Sequence, residues 1–109
     1  MHGHPGRTRG PGEGEHVVDQ GPAVGFATTV PAGPDLELED LFTDPDHVRR
    51  GVGRALVDDV LAFAGTTGAA RVTVDANPHA QAFYGSVGFV VDGEAPTELG
   101  TGLRMHRDV

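Results

Sequence analysis

The chain has 109 residues, 38% of them hydrophobic and 22% charged, which suits one modest folded domain rather than a disordered tract. Sixteen acids stand against eight arginines, with no lysine and no cysteine; the net charge of −8 argues against nucleic acid or anionic membrane as partner, and disulfides, thiolate metal sites and a cysteine nucleophile are excluded. No run reaches the roughly 18 apolar residues of a membrane span, and the opening MHGHPGRTRGPGEGEH lacks the apolar stretch of a secretory signal, so a cytoplasmic location is expected.

In chain order, residues 1–20 are rich in Gly, Pro and His and follow neither a strand nor a helix period, so they are expected to be a flexible N-terminal segment preceding a domain over 21–109. His2 and His4 have no third ligand nearby in sequence, and no metal is expected. Gly25–Val30 has strand composition and stops at Pro31. Over Asp35–Thr43, Leu36 and Leu38 alternate with Glu37 and Glu39 as on a half-buried strand; the alternation fails at Asp40-Leu41-Phe42, which predicts a bulge or strand end near Asp40. From Gly51 a helical spacing takes over through Val52, Leu56, Val60, Phe63 and Ala64, with Arg54 and Asp58 an exposed pair and Gly65 and Gly68 as stops. Arg71–Asp75 reads as a short strand. Asn77 can cap a second helix with Pro78 at its first position, carrying Ala80, Phe83, Tyr84 and Val87 on one face and ending at Gly88. Phe89-Val90-Val91 and Gly102–His106 read as a terminal hairpin. The order strand, strand, helix, strand, helix, strand, strand predicts an α/β domain (α+β in detail) with a mixed sheet.

Arg49-Arg50-Gly51-Val52-Gly53-Arg54 gathers three of the eight arginines at a helix start. The first amides of a helix lack intrahelical partners and carry partial positive charge, and glycines let a phosphate approach them. A diphosphate suits this chemistry; solvated arginines on an ordinary helix start are the plainer alternative. A nucleotide loop of the Gly-Lys-[Ser/Thr] kind is absent, and Leu56 stands where a dinucleotide fingerprint needs its third glycine.

Leu41-Phe42-Thr43-Asp44-Pro45 followed by Val48-Arg49-Arg50-Gly51-Val52-Gly53 resembles the first hallmark of the GNAT superfamily, and Asn77-Pro78-His79-Ala80-Gln81-Ala82-Phe83-Tyr84-Gly85-Ser86-Val87-Gly88-Phe89 resembles the second. The resemblance covers about residues 22–107. It implies an acyl-CoA N-acyltransferase-like fold, a mixed and largely antiparallel sheet flanked by helices, and acetyl-CoA as cosubstrate for acylation of an amine. By the same resemblance, amides from Arg49 to Arg54 would hold the pyrophosphate, the Leu41–Thr43 backbone with Phe42 between would pair with the pantetheine arm, Asn77 would touch the cofactor, and Tyr84 would act as general acid. Asn77 has a competing role as a helix cap, and Tyr84 as a packing residue. Glu39, and after it Glu37, are candidate bases that would remove the ammonium proton; solvated strand acids are the plainer reading.

Two departures stand out. Val48 occupies a position usually Gln or Arg in the family, and no strand and two helices, which in the family wall the acceptor site, are recognisable before the first strand. The reading is therefore of an N-terminally truncated fold, with a homodimer, in one form strand-exchanged, expected to complete it. A binding module without turnover, or a dimerising interaction protein, are the alternative functions.

Overall fold

The structure, a computed structural model, describes residues 14–20, 23–43 and 51–109. They form strands β1 (Gly14–Gln20), β2 (Ala23–Ala32) and β3 (Asp35–Thr43), helix α1 (Val52–Thr67), strand β4 (Arg71–Ala76), the short helix α2 (Gln81–Ser86), and strands β5 (Val90–Thr97) and β6 (Gly100–Asp108). One six-stranded sheet runs in the order β1-β2-β3-β4-β6-β5. Every pairing is antiparallel except β3 with β4, which is parallel. This is the mixed, largely antiparallel α/β architecture expected from the element order.

Residues 14–20 correct the expectation of a flexible segment up to residue 20. They pair along their whole length with β2, from Gly14 opposite Thr29 to Gln20 opposite Ala23. The strand has little apolar alternation because its anchor is polar: His16 is 5% exposed, its Nδ1 lies 2.5 Å from Asp59 Oδ2 on α1, and its ring meets Phe63 edge-on at 5.1 Å. A partner 43 residues away leaves no local signal. Residues 1–13, including His2 and His4, lie outside the described part of the chain.

Both helices pack on one face of the sheet. Leu36 and Leu38 of β3, Val72 and Val74 of β4 and Met105 of β6 meet Val52, Leu56, Val57, Val60 and Ala64 of α1, and the same core takes in Tyr84, Val87 and Phe89. Leu36, Leu38 and Leu56 are at most 2% exposed, and each buried side chain of this kind contributes about 1.5–3 kcal/mol. α1 ends where Gly68 adopts φ 79° and donates to the Ala64 and Gly65 carbonyls, as the Gly68 stop predicted. The terminal hairpin is longer than expected, because β5 is an exposed edge strand registered on β6 from Val90 to Thr97.

The irregularity in β3 lies where the broken alternation placed it. Thr28 opposes Asp40 and the next residue, Thr29, opposes Leu38, so Glu39 is the extra residue of a bulge. One inserted residue changes parity: Leu36 and Leu38 before it and Leu41 and Thr43 after it all face the helices, while Glu37, Asp40 and Phe42 face the other way.

Candidate active site

β3 and β4 pair at two positions only, Leu36 with Val72 and Glu37 with Thr73. Beyond these the strands part, and the backbone edges of Leu38–Thr43 and Val74–Ala76 face a gap without ladder partners. On the helix side a cleft of about 540 Å³ opens beside this gap, with Leu41 and Thr43 of β3, Gly51, Gly53 and Arg54 at the α1 start, and Ala80 and Phe83 of α2 among its walls.

The α1 start has the properties an anion requires. Gly51 is the N-cap, at φ 76° and without a side-chain cap, and the first turn carries no acidic residue. The first intrahelical bond is from the Ala55 amide to the Gly51 carbonyl, at 3.0 Å, so the preceding amides of Val52, Gly53 and Arg54 lack such partners. Left-handed backbone favours glycine at 51. Gly53 is glycine for another reason: a Cβ there would lie 3.0 Å from the Phe83 ring, so its absence brings α2 against α1. Arg54 reaches over the rim to the Ser86 carbonyl, 3.5 Å away.

The remaining expected site residues divide. Leu41, Thr43, Gly51, Gly53 and Arg54 meet at the cleft. Val52 turns its side chain into the core at 1% exposure and offers only backbone. Phe42 is on the opposite face, 51% exposed, with its ring 5.5 Å from that of Phe26. Arg49 and Arg50 are outside the described residues. Asn77 Oδ1 accepts from the amides of His79 and Ala80, at 2.9 and 3.0 Å, which closes the turn ahead of α2; the expected cap of the helix itself is corrected, because its N-cap is Ala80, without a side-chain bond. The regular helix starts at Gln81 after a turn, later than Pro78. Glu39 is exposed at the bulge, and Glu37 is half-buried on the open face.

Tyr84 is 6% exposed, with its ring edge-on to both Phe83 and Phe89 at 5.2 and 5.3 Å. Burial, and secondarily the Asp40 carboxylate, push its phenol up to about 12, so it keeps its proton throughout the neutral range. Asp40 was not singled out from sequence, although it is where the alternation breaks. It sits on the open face, where Thr28 Oγ1 donates to Oδ2 at 3.1 Å, and its charge is felt by a phenol carried on the helix side.

The Acetyltransferase (GNAT) domain model matches residues 13–107. The chain belongs to the GNAT family. An uncharacterised N-acetyltransferase of Mycobacterium bovis is 36% identical over 84 residues, covering 73% of this chain and 54% of its own length. Human N-acetyltransferase 8 is 40% identical over 63 residues, covering 55% of this chain and 28% of its own length. This GNAT chain therefore spans about half or less of these curated relatives. Among solved structures, a nourseothricin acetyltransferase superposes with TM-score 0.70 at 27% identity, covering 77% of this chain and 56% of that one. A Bacillus anthracis protein in complex with acetyl coenzyme A superposes with TM-score 0.71 at 20% identity, covering 78% and 56%, a likeness of fold. Among the described residues no cluster of metal-ligating side chains occurs, and no helix is long and apolar enough to cross a membrane.

Proposed function

We propose that this GNAT domain transfers an acetyl group from acetyl-CoA to a primary amine. The observation that carries the reading is the parted β3–β4 edge lying beside an uncapped, acid-free helix start. Amides of the α1 start, with Arg49, Arg50 and Arg54, would hold the pyrophosphate. The free backbone edge at Leu41 and Thr43 would take the pantetheine amides in the manner of an added strand. Asn77 is already engaged by two amides, so its contribution here is to hold the turn into α2 at the cleft.

The acceptor would enter from the open face and meet the thioester in the gap. Its nitrogen bonds to the carbonyl carbon, the carbon–sulfur bond breaks, and the sulfur receives the Tyr84 proton. The proton released by the amine passes to a carboxylate at the bulge, Glu39 in the sequence reading, directly or through water. A phenol near 12 gives up its proton to a thiolate only if that sulfur is itself desolvated in the gap. Before full transfer, the phenol donates a hydrogen bond to the developing charge. Juxtaposing amine and thioester supplies the larger part of the acceleration.

Thermal denaturation with and without acetyl-CoA tests the binding half. The protein's Tm should rise with ligand, and Gly51→Glu, which places bulk and negative charge at the helix start, should remove the rise; a parent protein that does not respond ends the proposal. Tyr84→Phe retains the ring packing and should reduce kcat by about 10²–10⁴-fold, the usual range for a general acid, with acetyl-CoA affinity unchanged. Equal turnover would return Tyr84 to the core. A cytoplasmic homodimer belongs to the same reading: among the described residues β1 has a neighbour on one side only, and an unpaired strand edge suits self-association. Light scattering that gives a monomer mass removes the dimer and leaves the chemistry intact.

A further inference from the structure

On the open face, nearly every described cation already has an acid beside it. Arg71 lies 3.8 Å from Asp35, Arg104 pairs with Asp75, and His106 Nδ1 is 2.8 Å from Asp92, with Nε2 3.7 Å from Asp108. Glu37, Glu39 and Asp40 differ. They have no basic partner among the described residues, and they stand together at the β3 bulge, where the gap opens.

A second feature points into the same place. Thr73 is 7% exposed, and its Oγ1 is buried without a hydrogen-bond partner among the described residues. It is the register neighbour of Glu37 in the parallel pair, so both side chains rise from the open face side by side, about 4.8 Å apart in the strand-to-strand direction. A buried hydroxyl left unbonded costs free energy that a donor or acceptor on a ligand would recover. On the other side of the carboxylates lie Phe26 and Phe42, 45% and 51% exposed and 5.5 Å apart. Two half-exposed rings beside three carboxylates without a basic partner among the described residues form a surface suited to cations on hydrocarbon: carboxylates for the charges, ring faces for the methylenes and for cation–π contact.

We propose that this acidic and aromatic strip is the acceptor site, and that it selects amines carrying further positive charges over amines with neutral tails. The inference rests on the acetyl-transfer reading and adds the class of its second substrate. Asp40, held by Thr28 and nearest the gap in function because its charge reaches Tyr84, anchors the reacting end. Glu37, with Thr73 beside it, binds a second ammonium along β3, and Phe26 and Phe42 lie against the linking carbons. Occupation of Asp40 by an ammonium also offsets one of the two causes that raise the Tyr84 phenol, so a bound cation makes the acid more ready to act.

The test uses the intact chain and two probes, spermidine and hexylamine. Direct calorimetry on the protein without acetyl-CoA should give binding heat with spermidine and none with hexylamine. In CoA-release assays, kcat/KM for spermidine should exceed that for hexylamine by about fivefold at low salt, through the second ammonium that Glu37 engages and hexylamine lacks. The ratio should fall towards one near 1 M salt, where the screening length is about 3 Å. Glu37→Gln should bring the ratio close to one, chiefly through KM, whereas Asp40→Asn should lower kcat/KM about fivefold for both amines alike, with acetyl-CoA affinity unchanged in each. If acetyl-CoA binds but the two amines react equally, or Glu37→Gln leaves the ratio unaltered, the acceptor inference is overturned while the transfer reading stands. If acetyl-CoA fails to bind, the transfer reading falls; calorimetry still decides the strip, and absence of heat with spermidine refutes it.

Discussion

The two faces of the one sheet are built for different ends. Towards the helices the strands present Leu36, Leu38, Val72, Val74 and Met105 to α1 and α2, dry and closely packed. Towards the open side they present Glu37, Asp40, Arg71, Asp75, Arg104 and His106, a charged mosaic flanked by Phe26 and Phe42. Burial makes the first face the source of stability; exposure makes the second tolerant of change and available to solutes. The proposed chemistry belongs to neither alone. It would sit where β3 and β4 separate, with Tyr84 brought from the dry side and Asp40 from the wet one.

Substitutions can break or sharpen this contrast. Leu56 has no exposed surface, so Leu56→Ala should cost about 2–5 kcal/mol and be read as a large fall in denaturation midpoint. An unchanged midpoint would mean that the helix face does not carry the fold. Next in size is an alkaline effect. The Tyr84 phenol sits near 12 rather than 10, and a group whose folded pKa is raised binds its proton more tightly in the native state. Its contribution is complete below pH 10 and is lost as pH rises from about 10 to 12, to a total of about 3 kcal/mol at 1.36 kcal/mol per unit. Because the chain has a single tyrosine, phenolate absorbance reports this group directly; a midpoint near 10 would show that the ring is not desolvated. Asn77→Ala removes the acceptor for two amides and should cost about 1 kcal/mol, seen in urea denaturation as a lower midpoint at constant slope. Smallest of all, Val17→Thr on the open face, where Val17 is 70% exposed, should change stability by less than about 0.5 kcal/mol. A larger loss there would mean that the open face is covered in solution, in keeping with the dimer.

Most of the fold could be read from local pattern, and the reasons are physical. α1 repeats its apolar stripe over four turns and is stopped by a glycine in the left-handed region. β3 announced its bulge through the failure of a two-residue period, because a strand with one buried face cannot change parity silently. β1 escaped notice because its one central contact is a histidine–aspartate pair spanning 43 positions, and the chain between carries no trace of it. The cleft was legible in its glycines, Gly51 and Gly53. Which face each side chain takes was less so: Phe42 appeared part of the cofactor strand, yet the extra residue at 39 sends its ring to the other side. Asp40 and Tyr84 are carried on separate elements, β3 and α2, and the packing that relates them leaves no periodic mark.

The odd residue at position 39 has a consequence for how this strand can vary in length. Removing it would place Asp40 directly after Leu38, which keeps Leu41 and Thr43 on the helix side and Asp40 and Phe42 on the other, and makes the register with β2 continuous. Removing Glu39 together with Asp40 would instead turn Leu41 and Thr43 outward and drive the Phe42 ring into the core. Loss of the one supernumerary residue should thus be milder than loss of a pair.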